Sequence, residues 1–287
     1  MSTPNSAAFD SIMMLNINEA SPGSTLSKPF SEVYQELTSF GNLSSYSFDS
    51  VFNACPRKWQ IKKMQADART TTRMNSPTFA FGHAVGAGVA TYDETLDLRA
   101  AIWSAFLAWD IDLMEIETNK AGKPTGKSFV EAIWALYNYQ TFHEAETDLN
   151  DYEVVNIEAT LAVDFEDGHF YVGHIDELLQ HRTTGEYLVK ENKTTGLSVV
   201  DPCMYSNSDQ ALSYAVVVDM LGSNSYEVLY TIYSCGRQEW IQHRFVKNAN
   251  SKASWIQDQL CLHQQRDDYS ELKFFPMRGA SCYSYMK

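Results

Sequence analysis

The stretch "GHIDELLQHRTTGEYLVKENKTT", from Gly173 to Thr195, contains two runs rich in apolar residues, separated by a "TTG" turn signal. Short β-branched and aromatic runs around such a turn predict two antiparallel strands. Side chains alternate between the faces of a strand, so Glu191 and Lys193 share one face while Asn192 points to the other. Asp176 lies in the first run, and adjacent strands can bring its carboxylate close to that of Glu191.

Two carboxylates beside a lysine can support hydrolytic chemistry. Carboxylate and carbonyl oxygens are the ligands that Mg²⁺ and Mn²⁺ prefer, so Asp176, Glu191 and the main-chain carbonyl of Asn192 form a candidate metal site. Lys193 can orient an attacking water or stabilise the charged transition state of a phosphoryl group. An exposed strand face with an ordinary Glu–Lys pair is the alternative, since structural ion pairs give the same pattern.

The segment "SDQALSYAVVVDMLG" predicts a helix that follows this site in the chain. Gln210 and Tyr214 are one helical turn apart and share a face of it. An amide and a phenol lying over the end of the site can hold phosphate oxygens or a nucleotide. An ordinary helix surface is the alternative.

The order of predicted elements indicates an α+β fold. Residues 1–43 are rich in Ser, Asn and Pro, which is typical of a flexible arm. Residues 44–150 are mainly helical, and residues 151–287 give three strands, a helix, two strands and a final helix. We therefore expect a central mixed β-sheet flanked by helices, within a single domain of residues 44–287.

Three local signals set helix boundaries in the N-terminal half. Ser47 is a candidate N-cap for the first helix, and Pro56 is expected to distort or break that helix. Ser128 and Glu131 have the spacing of a capping box, which predicts the start of a later helix.

The charge of the chain is strongly negative but uneven. A formal net charge of −14 opposes binding to nucleic acid, because phosphate contacts supply most non-specific affinity. In "CPRKWQIKKMQADARTTTR", however, only Asp67 opposes six basic side chains: Arg57, Lys58, Lys62, Lys63, Arg69 and Arg73. This basic segment is a candidate DNA-binding surface, and a solvated helix face is the alternative.

The five cysteines are scattered, odd in number and form no C-x-x-C pair. This usage is typical of a reducing compartment and argues against a disulfide framework or a zinc ribbon. We expect Cys203, Cys235 and Cys261 to pack in the core. No run of about 18 apolar residues and no secretory signal is present, which predicts a cytoplasmic protein without membrane contact.

Several segments occur in the order found in the RecB-like and Cas4-like branch of the PD-(D/E)xK nuclease superfamily. They are "SYSFDSVFNACPRKWQ", "FAFGHAVGAGVATY", D-x(n)-E-x-K, Q-x-x-x-Y on a helix, and "FFPMRGASCYSY". The chain resembles that branch from about Ser44 to the C-terminus. The resemblance implies a restriction-endonuclease-like core that hydrolyses DNA phosphodiesters with a metal-bound water.

The resemblance also implies a role for each matching residue. Asp176 and Glu191 would bind the metal, with the carbonyl of Asn192 as a further ligand, and Lys193 would be the catalytic lysine. Gln210 and Tyr214 would support the site and contact DNA.

The chain departs from the family at a histidine. Family members often bind metal through the histidine of a G-x-x-x-H element, but here Gly86 follows Gly82 at that spacing and His83 adjoins the first glycine. His83 is either a ligand from a shifted position or a capping or packing residue. Other carboxylates are candidate helpers, with helix or strand surface as their alternative: Asp93, Glu94 and Glu158.

A second departure concerns iron–sulfur chemistry. Cluster-bearing relatives use four cysteines, one N-terminal and three near the C-terminus, whereas only Cys55 and Cys282 occupy matching regions here. Two ligands do not hold a cluster, so we expect none in this chain.

The expected function is therefore a Mg²⁺- or Mn²⁺-dependent deoxyribonuclease, foremost an exonuclease on linear DNA in recombination, repair or phage DNA processing. The chain has no G-x-x-x-x-G-K-[ST] element, so a motor or a single-strand-annealing or recombination protein would be a separate partner, and an oligomer is open. The alternative is a nuclease-fold protein that binds a partner or mimics DNA without cutting. The net charge and the missing histidine favour it, whereas the presence of Asp176, Glu191 and Lys193 together argues against it.

Overall fold

The computed structural model describes residues 13–15, 42–67, 76–109, 126–145, 147–165, 167–206, 208–220 and 227–282. The fold is α+β with a central mixed β-sheet, as predicted. The helices are α1 (Tyr46–Ala54), α2 (Pro56–Asp67), α3 (Pro77–Thr95), α4 (Leu98–Ala108), α5 (Phe129–Ala145), α6 (Cys203–Ser206), α7 (Asp209–Met220) and α8 (Ala249–Glu271). None of the helices in these ranges combines the length and the apolar character that crossing a bilayer requires.

The strands are β1 (Met13–Leu15), β2 (Asn42–Ser44), β3 (Tyr152–Asp164), β4 (His169–His181), β5 (Tyr187–Thr195), β6 (Glu227–Ser234) and β7 (Glu239–Val246). Their order along the second half of the chain is the predicted one: three strands, a helical segment, two strands and a helix. Backbone contacts divide the chain into two units that are interleaved in sequence. The first unit contains Met1–Arg73, Thr160–Gly173 and Asn248–Lys287, and the second contains Met74–Ala159 and His174–Lys247. A single domain of residues 44–287 stays a prediction.

In the second unit, strand β5 lies between two neighbours of opposite orientation. It pairs antiparallel with β4, with Glu177 opposite Lys190, and parallel with β6, with Glu191 opposite Tyr230. The parallel pairing requires a crossover, which contains α6 and α7. The β4–β5 hairpin turns at Gly185, whose φ of +73° suits glycine. The hairpin predicted from "TTG" is therefore present.

Helices α3, α4 and α5 pack together in the second unit around an apolar core that includes Phe81, Val89 and Leu136. Ser128 precedes α5 and accepts a hydrogen bond from the main-chain N–H of Glu131 at 3.2 Å, as an N-cap does. The Glu131 carboxylate instead accepts from Tyr233 and from a glutamine, so the reciprocal half of the capping box is replaced by tertiary bonds.

In the first unit, the break at Pro56 is confirmed, because α1 ends at Ala54 and α2 begins at the proline. The N-cap of α1 is Ser45 rather than Ser47, since the Ser45 hydroxyl accepts from the main-chain N–H of Phe48. Ser45 and Ser47 both precede the apolar residues of α1, so the sequence alone does not decide which of them is the N-cap.

The cysteine predictions are wrong in two respects. Cys55 and Cys282 form a disulfide with a Cα–Cα distance of 5.2 Å, which the scattered spacing did not reveal because only the fold brings them together. Cys203 and Cys261 are exposed and Cys235 is half-buried, so these three are not core cysteines.

Candidate metal centre on strands β4 and β5

The antiparallel pairing of β4 and β5 places the sequence-predicted carboxylates side by side. Glu177 pairs with Lys190 at the end of the ladder, and Asp176 and Glu191 are the next residues along their strands. They lie close enough for the charge of Asp176 to raise the pKa of Glu191. Directly opposed residues point to the same face of a sheet. The main-chain N–H of Asn192 donates to Asp176 Oδ2 at 2.8 Å, so the Asn192 main chain also lies at this position.

Glu191 is buried, with 2% of its surface exposed. Its Oε1 accepts hydrogen bonds from the ammonium of Lys193 and, at 2.9 Å, from Nε2 of Gln210. Its Oε2 is buried and has no hydrogen-bond partner in the described part of the chain. A buried carboxylate oxygen left unpaired costs free energy, so this oxygen is suited to a proton or a cation.

The electrostatics of the pair favour a cation. Burial, and then the charge of Asp176, raise the pKa of Glu191 to about 8. Burial also raises the pKa of Asp176, although Lys193 and the Asn192 amide partly oppose this. Two adjacent carboxylates in a site of low polarity resist ionisation unless positive charge is supplied. A divalent ion bound between them would supply it, so the donor set fits Mg²⁺ or Mn²⁺.

Lys193 combines a contact to Glu191 with access to solvent, since 33% of its side-chain surface is exposed. Burial alone would lower the pKa of Lys193, but the negative charges of Glu191 and Asp176 outweigh it, and the pKa is raised overall. The side chain therefore remains a cation. Its ammonium therefore adjoins the Glu191 carboxylate and is also partly open to solvent.

Helix α7 brings two further predicted residues to this site. Nε2 of Gln210 donates to Glu191 Oε1 and, at 2.7 Å, to the hydroxyl oxygen of Tyr214. The Tyr214 hydroxyl in turn donates to the main-chain carbonyl of His174 on β4. The pair thus ties α7 to the two strands that carry the carboxylates, and a contact with DNA stays a prediction.

The structure does not bring His83 into this cluster. Its side chain is exposed on α3, and its neighbour Gly82 lies beside Thr194, which is on the strand face opposite that of Glu191. No group of three or more His, Cys, Asp or Glu side chains in the described ranges has a metal-binding arrangement. The cluster provides two carboxylates, so an ion bound there would also need main-chain or water ligands.

Asp93, named from the sequence only as a candidate helper, is on that opposite face as well and does not join the two carboxylates. Its carboxylate contacts the ammonium of Lys190, which also donates to Glu177 at 2.8 Å. Burial and the charge of Asp93 raise the pKa of Glu177 to about 8. A cavity of about 330 Å³ is lined on this side by Asp93, Lys190, His143 and the exposed Glu94.

This second cluster was not predicted, although the pattern of charged residues along the two strands indicates it. Glu177 pairs with Lys190, and because side chains alternate along a strand this pair points to the face opposite that of Asp176 and Glu191. Two adjacent acids on one strand and a Lys–Glu pair on the next therefore predict two clusters, one on each face.

Glu158 lies close enough to the centre for its charge to raise the pKa of both Asp176 and His174, although burial lowers the pKa of His174 overall. Its φ of +52° is a left-handed conformation within β3, which is rare for glutamate. Glu158 stays a candidate helper. His174, two residues before Asp176 and on the same strand face, was not singled out from the sequence.

The basic segment forms α2 in the first unit, as far as it is described. Arg57 and Lys62 are exposed, and the ammonium of Lys63 lies 5.3 Å from the centroid of the Trp59 ring. Lys58 is half-buried, whereas Arg69 and Arg73 lie outside the described residues.

Comparisons with known proteins add little. No protein-family model matches the chain, and no curated protein matches it. One similar solved structure is described as "Crystal structure of SSO0001". It is 10% identical, the match covers 73% of this chain and 84% of that chain, and the TM-score is 0.28. A likeness at this level supports no conclusion about fold or function.

Proposed function

We propose that the chain is a Mg²⁺- or Mn²⁺-dependent deoxyribonuclease. The observation that carries the proposal is the buried pair of carboxylates, in which Glu191 keeps one oxygen without a partner and Lys193 contacts the other. Glu177 and Asp49, which pair with Lys190 and Arg266, also keep one buried oxygen without a partner in the described ranges. Glu191 differs from them because it combines a neighbouring carboxylate, Asp176, with a partly exposed lysine, Lys193.

Asp176, Glu191 and the carbonyl of Asn192 would hold the ion, which when bound supplies positive charge and a more acidic water. Lys193 would hold the attacking water or a phosphate oxygen next to these carboxylates. Gln210 fixes the rotamer of Glu191 through its 2.9 Å bond to Oε1. Hydrolysis adds the water oxygen to phosphorus while the ester P–O bond breaks, and the leaving oxygen ends protonated.

DNA is the proposed substrate on two grounds. The sequence resembles nucleases of the RecB-like and Cas4-like branch, and α2 presents exposed cations in a chain of net charge −14. We propose exonuclease action on linear DNA in recombination, repair or phage DNA processing, together with a separate annealing or recombination protein.

A non-cutting protein that binds a partner or mimics DNA is the second candidate. The observations in its favour are the net charge of −14 and the exposed position of His83. It predicts tight association with a protein and no cleavage of DNA, and it gives no reason for two acidic side chains to lie together beside Lys193.

The test compares linear and covalently closed circular duplex DNA, each incubated with the protein and Mg²⁺ or Mn²⁺. We expect loss of the linear DNA alone, and no loss with EDTA or with Asp176→Asn. Cleavage of both forms would retain the nuclease but reject the exonuclease. Stability of both forms, or cleavage that survives Asp176→Asn, would reject the proposed site.

A further inference from the structure

The face of β5 that points away from the metal centre carries a buried polar cluster. We name it the back-face network, and it consists of the side chains of Asp93, Tyr139, Glu177, Lys190 and Asn192. Glu177 and Lys190 are fully buried. This network joins α3 and α5 to the two strands of the metal centre.

The contacts within the network fix the position of the Lys190 ammonium. It donates to Glu177 Oε1 at 2.8 Å and to the Tyr139 hydroxyl oxygen at 3.0 Å, and it contacts the Asp93 carboxylate. The Tyr139 hydroxyl donates to Asp93 Oδ1 at 2.8 Å. All three ammonium hydrogens therefore have acceptors.

Asn192 connects the network to the metal centre on the other face. Its side-chain Nδ2 donates to Glu177 Oε1 at 2.6 Å, while its main-chain N–H donates to Asp176 Oδ2 at 2.8 Å. Both donors belong to Asn192. The bond from its side chain to Glu177 therefore restricts the orientation of its main-chain N–H, which holds Asp176.

Stability alone does not explain such a network. Removing ions from water costs several kcal/mol, and replacing a buried ion pair by well-packed apolar residues is often neutral or stabilising. A network that orients a neighbouring site is retained for a different reason, because partners behind metal ligands set their geometry and affinity.

We propose that Asn192 and the back-face network position the metal centre through the Asn192 peptide. The proposal rests on the proposed metal site and adds residues that touch neither metal nor substrate by their side chains. Glu177 and Lys190 point to the face opposite that of Glu191, so they cannot act in catalysis directly. The proposal gives them a role in metal affinity instead.

The test measures binding of Mn²⁺ alone by calorimetry. Asn192→Ala removes the anchor but keeps the peptide, so we expect Mn²⁺ affinity to fall by about 10- to 100-fold with little change in melting temperature. Thr194→Ala, two residues along on the same strand face, is the matched control and should bind as the wild type does. Excess Mn²⁺ should restore cleavage by Asn192→Ala, which it would not do for a lost catalytic group.

A second variant keeps the test decisive. In the triple variant Asp93→Asn, Glu177→Met and Lys190→Met, neutral side chains replace all three charges of the network. No buried charge is left unpaired, so the fold should persist while Mn²⁺ affinity falls as in Asn192→Ala. A wild type that binds Mn²⁺ while Asn192→Ala binds it equally well would overturn this inference alone. A wild type that binds no Mn²⁺ would overturn the proposed metal centre and this inference with it.

Discussion

At the scale of single residues, Glu191 experiences opposing effects. Its burial and the neighbouring Asp176 disfavour its charge, whereas Lys193 and Gln210 both stabilise the ionised form. Carboxylates must be deprotonated to bind a metal, so an ion at the proposed site would compete with protons for the same oxygens. This competition gives the site its expected pH dependence.

Lys193→Ala tests the role of the ammonium. Loss of a group that stabilises transition-state charge typically costs about 10²- to 10³-fold in rate, and we expect a loss of that order in single-turnover cleavage at saturating Mn²⁺. Mn²⁺ affinity should not fall, since the lysine competes with the ion for Glu191. Arg237→Ala, which removes an exposed cation in the same unit, should cut at the wild-type rate. A Lys193→Ala variant as fast as the wild type would contradict the assignment.

The raised carboxyl pKa values predict how stability depends on pH. A carboxyl whose pKa is higher in the folded state contributes most below its ordinary pKa, and this contribution is lost as pH rises towards the folded value of about 8. Metal-free protein should therefore melt at a lower temperature at pH about 8.5 than at about 6. Mg²⁺ should raise the melting temperature more at the higher pH, as scanning calorimetry would show. An equal Mg²⁺ effect at both pH values would count against carboxylate ligands.

The proximity of three side chains on strands β4 and β5 was predictable from sequence because strand alternation is a local rule. Asp176, Glu191 and Lys193 follow from two strands and one turn. His83 and Asp93 did not, since the sequence of a helix does not say against which face of a sheet it packs.

At the scale of elements, the packing of α3 against α4 and α5 depends on Gly88. A Cβ there would lie 2.5 Å from Leu136 Cδ1 and 3.1 Å from the Ala101 carbonyl oxygen. Real Cβ atoms do not approach that closely, so the Leu136 side chain would have to move and the α4 backbone at Ala101 would have to yield by a few tenths of an ångström.

Gly88→Ala should therefore lower the free energy of unfolding by about 1–3 kcal/mol, the usual cost of overpacking. Gly86→Ala, one half-turn earlier in the same helix, meets nothing within 4 Å and is the control. It should be neutral or stabilise by about 0.5–1 kcal/mol, because alanine favours helix over glycine. Urea unfolding measures both values, and equal effects would show that Gly88 is not a packing position.

Elements were predictable where periodicity is strong and less so at their ends. The three sheet strands from Tyr152 to Thr195 and the break at Pro56 were evident from the sequence. The choice of Ser45 as N-cap and the Cys55–Cys282 disulfide depend on tertiary geometry, which the spacing of residues along the chain does not reveal.

At the scale of the whole molecule, the charge distribution decides where an anionic polymer can bind. A chain of net charge −14 repels DNA except where cations are concentrated, and α2 carries exposed cations of this kind. Lys62→Glu should weaken DNA binding in a fluorescence titration and reduce the salt dependence of the affinity by about one to two phosphate contacts. Arg237→Glu makes the same charge change elsewhere. Equal losses for both variants would indicate a general charge effect rather than a DNA surface.

The fold class was predictable from the order of elements, but the division of contacts into two interleaved units was not. Strands β3 and β4 contribute residues to both units, and a sequence read segment by segment does not show where contacts separate.

The most direct test of the central claim is the rate at which acid-soluble nucleotides are released from linear duplex DNA with Mn²⁺. Wild type and Glu191→Gln are measured side by side, because glutamine keeps the shape and hydrogen bonding of Glu191 but not its charge. Release by the wild type and at least about a 10²-fold slower release by Glu191→Gln is the predicted result. Equal release by both proteins, or none by the wild type, would contradict the account.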